Sequence, residues 1–193
     1  SNAFSESDIV DFLKKIRNFL KLETNSKIEI SAEPKIDGIS ASLLYEDGVL
    51  KLGLSRGDGK TGEDITSNLQ TIKSIPQKLK GSRLPNLIEI RGEVYISKKD
   101  FKNIQDKFAN PRNAAGGSLR QKNPEETKKI PLQFMAYSFG FVDQSTFKTQ
   151  SEYLIFLKKC GFKVSEHNRI LFNMDDLMKN YAELEKSRSK IDY

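Results

Sequence analysis

The chain has 193 residues, of which 37% are hydrophobic and 30% are charged, and this balance permits a buried core of ordinary size. No run of about 18 apolar residues predicts a membrane span and no signal segment opens the chain, so we expect an intracellular protein. With one cysteine and one histidine, the composition excludes an internal disulfide and a structural zinc site made of these residue types.

The predicted elements begin with an amphipathic helix over residues 5–22, where apolar residues recur every three or four positions. Residues 27–33 then alternate as a strand. Two further alternating runs, 39–45 and 49–56, are joined into a hairpin by Glu46-Asp47-Gly48. This pattern predicts antiparallel sheet and argues against parallel βαβ units.

The later elements alternate between helices and strands. After the turn-rich residues 56–59, the pattern predicts a short helix around 62–70, a loop to Pro85 and a strand over 87–96. The remaining predicted elements are a helix from Ser97 to about Phe108, a helix after Asn110-Pro111, a strand over 132–141, a helix ending at Cys160-Gly161, one or two short strands within 162–172, and a helix from Asn173 to about Ser187. The whole pattern predicts an α+β fold.

The positive charge of the chain is unevenly placed. The formal net charge is +6, and most of the excess of lysine and arginine lies between residues 98 and 122. Such a cluster is typical of a surface that faces a polyanion, and charge alone equally fits a solvated helix face.

A lysine lies within the run Glu33-Pro34-Lys35-Ile36-Asp37-Gly38. On an extended strand, side chains two residues apart share a face, so Glu33, Lys35 and Asp37 are expected to project together. Gly38 relaxes the backbone where the strand turns and allows a ligand to approach the main chain. By itself, lysine followed by Asp-Gly is a weak signal that a surface lysine before a turn also produces.

The strand over 87–96 carries an unusual stripe. Its apolar residues are expected on one face, and Glu89, Arg91, Glu93 and Tyr95 on the other. An isolated acid-base-acid stripe favours ion pairing at a solvated face, and its coincidence with the other motifs favours a functional role.

The glycine-rich turn from Gly53 to Thr61 invites comparison with a phosphate-binding P-loop. That motif needs a glycine five positions before its Gly-Lys pair. Leu54 occupies this position ahead of Gly59-Lys60, and Gly53 is one residue too early. The sequence therefore excludes a P-loop NTPase.

Four segments in order resemble the successive signatures of the bacterial NAD-dependent DNA ligase family. They are residues 32–38, 55–59 with 62–64, 90–94, and 110–115 with 117–121. The resemblance implies that residues 1–193 form an adenylation domain with the antiparallel-sheet nucleotidyltransferase fold. It extends to Asn2-Ala3-Phe4, although Ser1-Asn2-Ala3 also has the composition of an expression-tag scar, and both origins stay open.

The resemblance implies a reaction in three steps at Lys35. The lysine amine attacks the α-phosphorus of NAD and releases nicotinamide mononucleotide, AMP passes to the 5′-phosphate of nicked double-stranded DNA, and the adjacent 3′-hydroxyl displaces AMP. A free lysine amine titrates near ~10.4, so a cation such as magnesium, or desolvation, must favour its neutral form. Asp37 alone acts in the opposite direction, and we therefore expect it to orient the site or hold magnesium.

The resemblance also implies roles for other side chains. Glu33 accepts a hydrogen bond from the adenine amino group, while Arg56 and Glu93 contact the nucleotide around its ribose. Glu93 joins Asp37 as a candidate magnesium ligand. Arg112 and Arg120 are expected to bind phosphate or the nicked duplex, because guanidinium groups suit phosphate oxygens.

Two alternatives to this interpretation stay open. One is an ATP- or GTP-using nucleotidyltransferase that shares the Lys-x-Asp-Gly pattern, and the other is a non-catalytic DNA-binding module that acts through residues 98–122. The family's next motifs are expected after residues 191–193. We therefore expect a fold incomplete at its C-terminus, in which the chain alone binds adenosine nucleotides weakly and seals nicks poorly. A monomer in the bacterial cytoplasm, associated with the nucleoid and not with a membrane, is expected.

Overall fold

The structure is a computed structural model that describes residues 2–57, 61–144 and 147–193. Along these residues the helices are α1 (Glu6–Leu20), α2 (Thr66–Leu69), α3 (Lys98–Phe101), α4 (Pro111–Leu119), α5 (Pro124–Lys128), α6 (Gln150–Cys160) and α7 (Met174–Ser187). The strands are β1 (Ile30–Ala32), β2 (Ile39–Glu46), β3 (Val49–Ser55), β4 (Leu87–Tyr95), β5 (Gln133–Val142) and β6 (Arg169–Leu171).

The chain forms two compact units, residues 1–33 with 167–191 and residues 34–166 with 192–193. Within the described ranges, no helix has the length and apolar character needed to cross a membrane. Asp58, Gly59 and Lys60 of the predicted turn and of the P-loop comparison lie outside the described residues.

The first unit combines two helices with a short sheet. Ser5 caps α1 by accepting from the Asp8 amide, and the Asp8 carboxylate accepts from the Ser5 amide in return, which satisfies two otherwise unpaired donors. β1 pairs antiparallel with β6, with Ser31 opposite Ile170. The predicted strand over 27–33 was too long, because only the three residues that face the short β6 form ladder pairs.

The second unit is built on a four-stranded antiparallel sheet in the order β3-β2-β4-β5. The predicted hairpin between β2 and β3 is confirmed. Its turn residues Asp47 and Gly48 have φ angles of 49° and 74°, and two positive φ values match the twist that a tight hairpin requires. The register places Leu43 opposite Ile90 in the central pair.

The two faces of this sheet differ in composition. One face carries the main core, in which apolar side chains of the strands pack with residues from α2, α4 and α6; its members include Leu43, Tyr45, Ile88, Ile90, Val94, Phe134, Leu69, Leu119, Tyr153 and Leu157. Alternate residues of a strand point to opposite sides, so the intervening residues form the other face. This face carries polar side chains over much of its length. We call this second surface the polar face, defined by Ser40, Ser42, Glu89, Arg91 and Glu93.

Some predicted helices differ in length from those observed. The helix predicted around 62–70 is confined to Thr66–Leu69. The helix predicted from Ser97 to Phe108 ends at Phe101, because the backbone then closes three-residue turns, such as the bond from the Ile104 amide to the Phe101 carbonyl. The predicted start of α4 at Asn110-Pro111 and the predicted end of α6 at Gly161 are both confirmed.

Candidate active site

Lys35 and Asp37 are exposed on either side of a buried anchor. Ile36 is only 7% exposed and belongs to a small apolar cluster with Tyr95 of β4 and Met135 of β5. Burying one isoleucine side chain contributes about 1.5–3 kcal/mol, which is enough to hold a short segment against the sheet. The anchor therefore directs its two polar neighbours to solvent.

Gly38 holds the other end of this segment close to β4. A Cβ at this position would lie 2.2 Å from the Val94 carbonyl oxygen and 2.9 Å from Cγ of Glu93, so a larger residue would push the two chains apart. Residues 33–38 do not form a strand, and the extended-strand prediction for Lys35 was wrong. The alternation around Lys35 comes from burial of Ile36 and Gly38 and not from strand pairing.

Glu93 is a buried carboxylate beside this segment, with 6% of its surface exposed. Ser40 lies directly opposite it in the β2–β4 pairing, and its hydroxyl donates to Oε2 of Glu93 over 2.9 Å. Burial raises the pKa of the Glu93 carboxyl, while the Ser40 hydroxyl, the positive charges of Lys35 and Arg112 and the Gly38 amide act in the opposite direction. Glu93 is therefore a desolvated acceptor that faces two cations.

Arg112 reaches the same place from α4. Asn110 caps this helix through a bond from the Asn113 amide and Pro111 occupies its first turn, which fixes where Arg112 emerges. Nη1 of Arg112 donates to Oδ1 of Asp37 over 3.0 Å. Because both side chains are at least half-exposed, this ion pair contributes little stability, about 0–1 kcal/mol.

Arg120 lies at the opposite end of α4 and pairs with a different motif. Its Nε lies 3.5 Å from Oε2 of Glu63, which belongs to the segment 62–64. Arg112 and Arg120 are eight positions apart, which corresponds to about 12 Å along a helix. The structure therefore separates the two arginines, with Arg112 beside Asp37 and Arg120 beside Glu63.

Arg56 follows the end of β3 and is exposed. It lines a shallow concavity of about 630 Å³ over the polar face, together with Ser40, Ser42, Ser55 and Arg91. Arg56 is thus on the same side of the sheet as the hydroxyl that holds Glu93.

Glu33 is the last residue of the N-terminal segment of the first unit. It is partly buried, and the Ser31 hydroxyl donates to its Oε1 over 2.8 Å.

The described residues contain no group of three or more His, Cys, Asp or Glu side chains arranged as a metal site. Asp37 and Glu93 are two carboxylates that both interact with Arg112. Such a pair fits magnesium, which in proteins commonly binds one or two carboxylates together with substrate phosphates.

Sequence patterns missed two residues of the polar face. Ser40 supports Glu93, and the Ser42 hydroxyl donates to Oε1 of Glu89. Their signal was the alternation of serine with apolar residues along β2, which marks one face of the strand as polar.

Comparison with known proteins identifies the family. The family model described as NAD-dependent DNA ligase adenylation domain matches residues 1–193. Among curated proteins, the DNA ligase of Pelagibacter ubique (strain HTCC1062) is 56% identical over 190 residues, which cover 98% of this chain and 28% of that protein.

Other bacterial relatives agree with this match. The DNA ligase of Bradyrhizobium diazoefficiens is 44% identical over 200 residues, covering all of this chain and 28% of that protein. The DNA ligase of Rickettsia massiliae (strain Mtu5) is 44% identical over 201 residues, covering all of this chain and 29% of that protein. The chain thus spans less than a third of the length of these relatives. It belongs to the family of NAD-dependent DNA ligase adenylation domains.

Proposed function

We propose that residues 1–193 form an adenylation domain of the nucleotidyltransferase fold, in which Lys35 takes AMP from NAD as a covalent lysine-AMP intermediate. One observation carries the proposal: separate segments of the chain meet around Lys35. Asp37 pairs with Arg112, Glu93 accepts from Ser40, and the charges of Lys35 and Arg112 act on Glu93. An exposed amine beside a guanidinium and two carboxylates suits attack on a phosphorus atom, because the guanidinium can bind phosphate oxygens and the carboxylates can hold a metal ion.

In the first step, Nζ of Lys35 attacks the α-phosphorus of NAD. A nitrogen–phosphorus bond forms, the bond from this phosphorus to the bridging oxygen breaks, and nicotinamide mononucleotide leaves with the electron pair. The amine must lose a proton before it attacks the phosphorus. Exposure of Lys35 leaves room for the incoming phosphate.

In the second step, a 5′-phosphate oxygen of nicked double-stranded DNA attacks the same phosphorus. The nitrogen–phosphorus bond breaks and Lys35 regains its amine. In the third step, the 3′-hydroxyl at the nick attacks the DNA phosphate, a phosphodiester bond forms and AMP leaves. Arg112 and Arg120 are positioned at the two ends of α4 to bind phosphate oxygens through their guanidinium forks.

The remaining predicted residues keep their proposed roles. Glu33 accepts from the adenine amino group, and Arg56 and Glu93 contact the nucleotide around its ribose. Asp37 and Glu93 hold magnesium, which when bound would neutralise charge on the phosphate oxygens. If Arg112 separated from Asp37, its guanidinium could bind phosphate and the Asp37 carboxylate could bind the metal ion.

We place this activity in DNA replication and repair, in a monomer that works at nicked DNA in the bacterial cytoplasm and nucleoid. The family match favours NAD over ATP or GTP as the nucleotide donor. The convergence around Lys35 favours an enzyme over a module that only binds DNA through residues 98–122.

Donor choice tests the proposal directly. The chain is incubated at high concentration for a long time with NAD, ATP or GTP and magnesium, and its intact mass is measured. We expect the mass of one AMP to be added with NAD, less or none with the other donors, and none when EDTA is present.

Titration of the chain with AMP, followed by NMR chemical shifts, tests binding separately from chemistry. We expect shifts at the amides of residues 35–38 and 93. Absence of both an adduct and any AMP-dependent shift would contradict the proposal, as would equal labelling by ATP.

A further inference from the structure

Asp192 and Tyr193 belong to the second unit. The Tyr193 ring packs against the small apolar cluster of Ile36, Tyr95 and Met135. Its centroid lies 5.9 Å from that of the Tyr95 ring at an interplanar angle of 71°, which is the edge-to-face arrangement that aromatic pairs favour. None of the roles proposed above involves Asp192 or Tyr193.

Polar contacts fix Tyr193 from two sides. The Lys98 amide donates to the Asp192 carbonyl oxygen over 3.0 Å, and the Lys99 amide donates to Oδ1 of Asp192 over 2.9 Å. Both donors lie in the first turn of α3, where an amide has no acceptor within the helix. The Tyr193 hydroxyl forms a hydrogen bond of 2.7 Å with the Ser165 hydroxyl. The residue is therefore held next to its backbone and at the tip of its ring.

The Tyr95 ring, against which Tyr193 packs, is itself fixed. It is only 1% exposed, and its hydroxyl donates to Oε1 of Gln133 over 3.0 Å. Nζ of Lys163 donates to the same oxygen over 3.1 Å. Rotation of Tyr95 into the space left by removing the Tyr193 ring would break the bond to Gln133. The cluster around Ile36 would therefore stay underpacked without Tyr193.

The packing of Ile36 helps to decide where Lys35 lies. Residues 34–38, all of them in the described part of the chain, form no strand, so ladder hydrogen bonds do not hold them. Their attachments to the sheet include the buried Ile36 side chain and the close approach of Gly38 to β4. Lys35 is adjacent to the first attachment and three residues from the second. Looser packing of Ile36 would therefore displace the Lys35 amine.

We propose that Tyr193 is a positioning residue for Lys35. Its ring completes the cluster that holds Ile36, and Asp192 keeps the ring in place. The inference rests on the proposed function, since Lys35 is the nucleophile there. Tyr193 acts through Ile36 and not through a contact with the nucleotide.

The rate of lysine-AMP formation tests the proposal. The parent chain, Tyr193→Ala and Tyr193→Phe are incubated with magnesium and a series of NAD concentrations, and the adduct is followed by intact mass. We expect Tyr193→Ala to lower the rate at saturating NAD roughly tenfold, because displacement of a reacting group slows the reaction even when the substrate is bound. Tyr193→Phe keeps the ring and should restore most of the rate.

Two control variants separate positioning from a general loss of stability. Tyr181→Ala removes an exposed tyrosine of α7, and Ile90→Ala removes a completely buried side chain of the main core. Both are measured well below their unfolding temperatures, and both are expected to form the adduct at the rate of the parent. Asp192→Ala changes an exposed residue and serves if Tyr193→Ala does not fold; we expect a smaller fall in the same direction.

Three results would overturn the proposal. One is an equal rate for Tyr193→Ala and the parent at saturating NAD, or for Asp192→Ala and the parent where Tyr193→Ala does not fold. Another is an equal fall in the rate of Ile90→Ala. The third is a change confined to the NAD concentration at half-saturation, because Tyr193 would then contribute to binding alone.

NMR relaxation distinguishes failure of this proposal from failure of the proposed function. Heteronuclear NOE values report fast backbone motion. We expect them to fall at the amides of residues 35–37 in Tyr193→Ala and to stay unchanged in Ile90→Ala; unchanged values in Tyr193→Ala would overturn the proposal. If the parent forms no adduct, this comparison alone decides the positioning role. If the parent also shows no AMP-dependent shift, the proposed function fails.

Discussion

The two faces of the four-stranded sheet use alternate residues of the same strands for different purposes. Leu43 and Ile90 on the core face are completely buried and pack within one continuous apolar cluster. Ser40 and Glu93 on the polar face form hydrogen bonds with each other and meet groups from the Lys35 segment and from α4. The core face thus supplies stability, and the polar face supplies an arrangement of charges.

This difference predicts which property each substitution changes. Substitutions on the core face should lower the free energy of unfolding and leave nucleotide affinity of the folded protein unchanged. Substitutions on the polar face should lower nucleotide affinity and change the free energy of unfolding less than substitutions on the core face do. Ile36 is the informative intermediate, because it is apolar and buried but lies between two residues of the site.

The largest effect on stability is expected at the centre of the core face. Ile90→Ala removes a side chain with no exposed surface, and we expect the free energy of unfolding to fall by about 2–5 kcal/mol. Urea denaturation measures this loss, and Ile155→Ala on the exposed side of α6 is the matched control with little expected effect. Weaker AMP binding by the folded Ile90→Ala protein would contradict the separation of the two faces.

Ile36→Ala should affect both properties. The cluster around Ile36 is small, so we expect a loss of about 1–3 kcal/mol in the free energy of unfolding. AMP affinity should also fall, because Lys35 and Asp37 lose the anchor between them. Calorimetric titration with AMP, run beside Ile90→Ala, checks this; an unchanged affinity would show that burial of Ile36 does not position the site.

Glu93→Gln should change how stability depends on pH. Burial raises the pKa of this carboxyl above the ordinary value of 4.5, so its contribution to the free energy of unfolding is intact below 4.5 and is lost as pH rises through the raised value. The variant lacks this loss. Urea denaturation at a series of pH values should therefore show the free energy of unfolding of the variant rising relative to that of the parent as the pH increases above 4.5. A difference that stays constant with pH would contradict the assignment.

The smallest effect is expected for the ion pair between Glu63 and Arg120. Both side chains are largely exposed and their closest atoms are 3.5 Å apart, so Glu63→Ala should change the free energy of unfolding by less than about 1 kcal/mol. Thermal unfolding of the variant at low and high salt is sufficient to measure this. A loss comparable to that of Ile36→Ala would mean that the pair holds α4 in place.

The core face could be predicted from sequence because burial imposes a period of two on each strand. The alternation in 87–96 and the turn at Asp47-Gly48 are both local patterns, and both are confirmed. The four motifs could likewise be recognised from the sequence, because they follow one another along the chain in a characteristic order.

The partners within the site could not be predicted in this way. Ser40 and Glu93 are 53 residues apart, and Asp37 and Arg112 are 75 apart, so their contacts depend on strand register and on where α4 packs. The prediction that a strand carries Lys35 was wrong for a related reason. Its polar and apolar alternation is real, but the burial of Ile36 against Tyr95 and Met135 produces it without a pairing strand.

The location of AMP on the chain tests the central claim most directly. After incubation with NAD and magnesium, the protein is digested and its peptides are sequenced by tandem mass spectrometry at a pH that preserves the nitrogen–phosphorus bond. We predict AMP on the peptide that contains Lys35, and its loss in a Lys35→Ala protein whose thermal unfolding matches the parent, since this side chain is exposed. AMP on another residue, or equal labelling of the Lys35→Ala protein, would contradict the account.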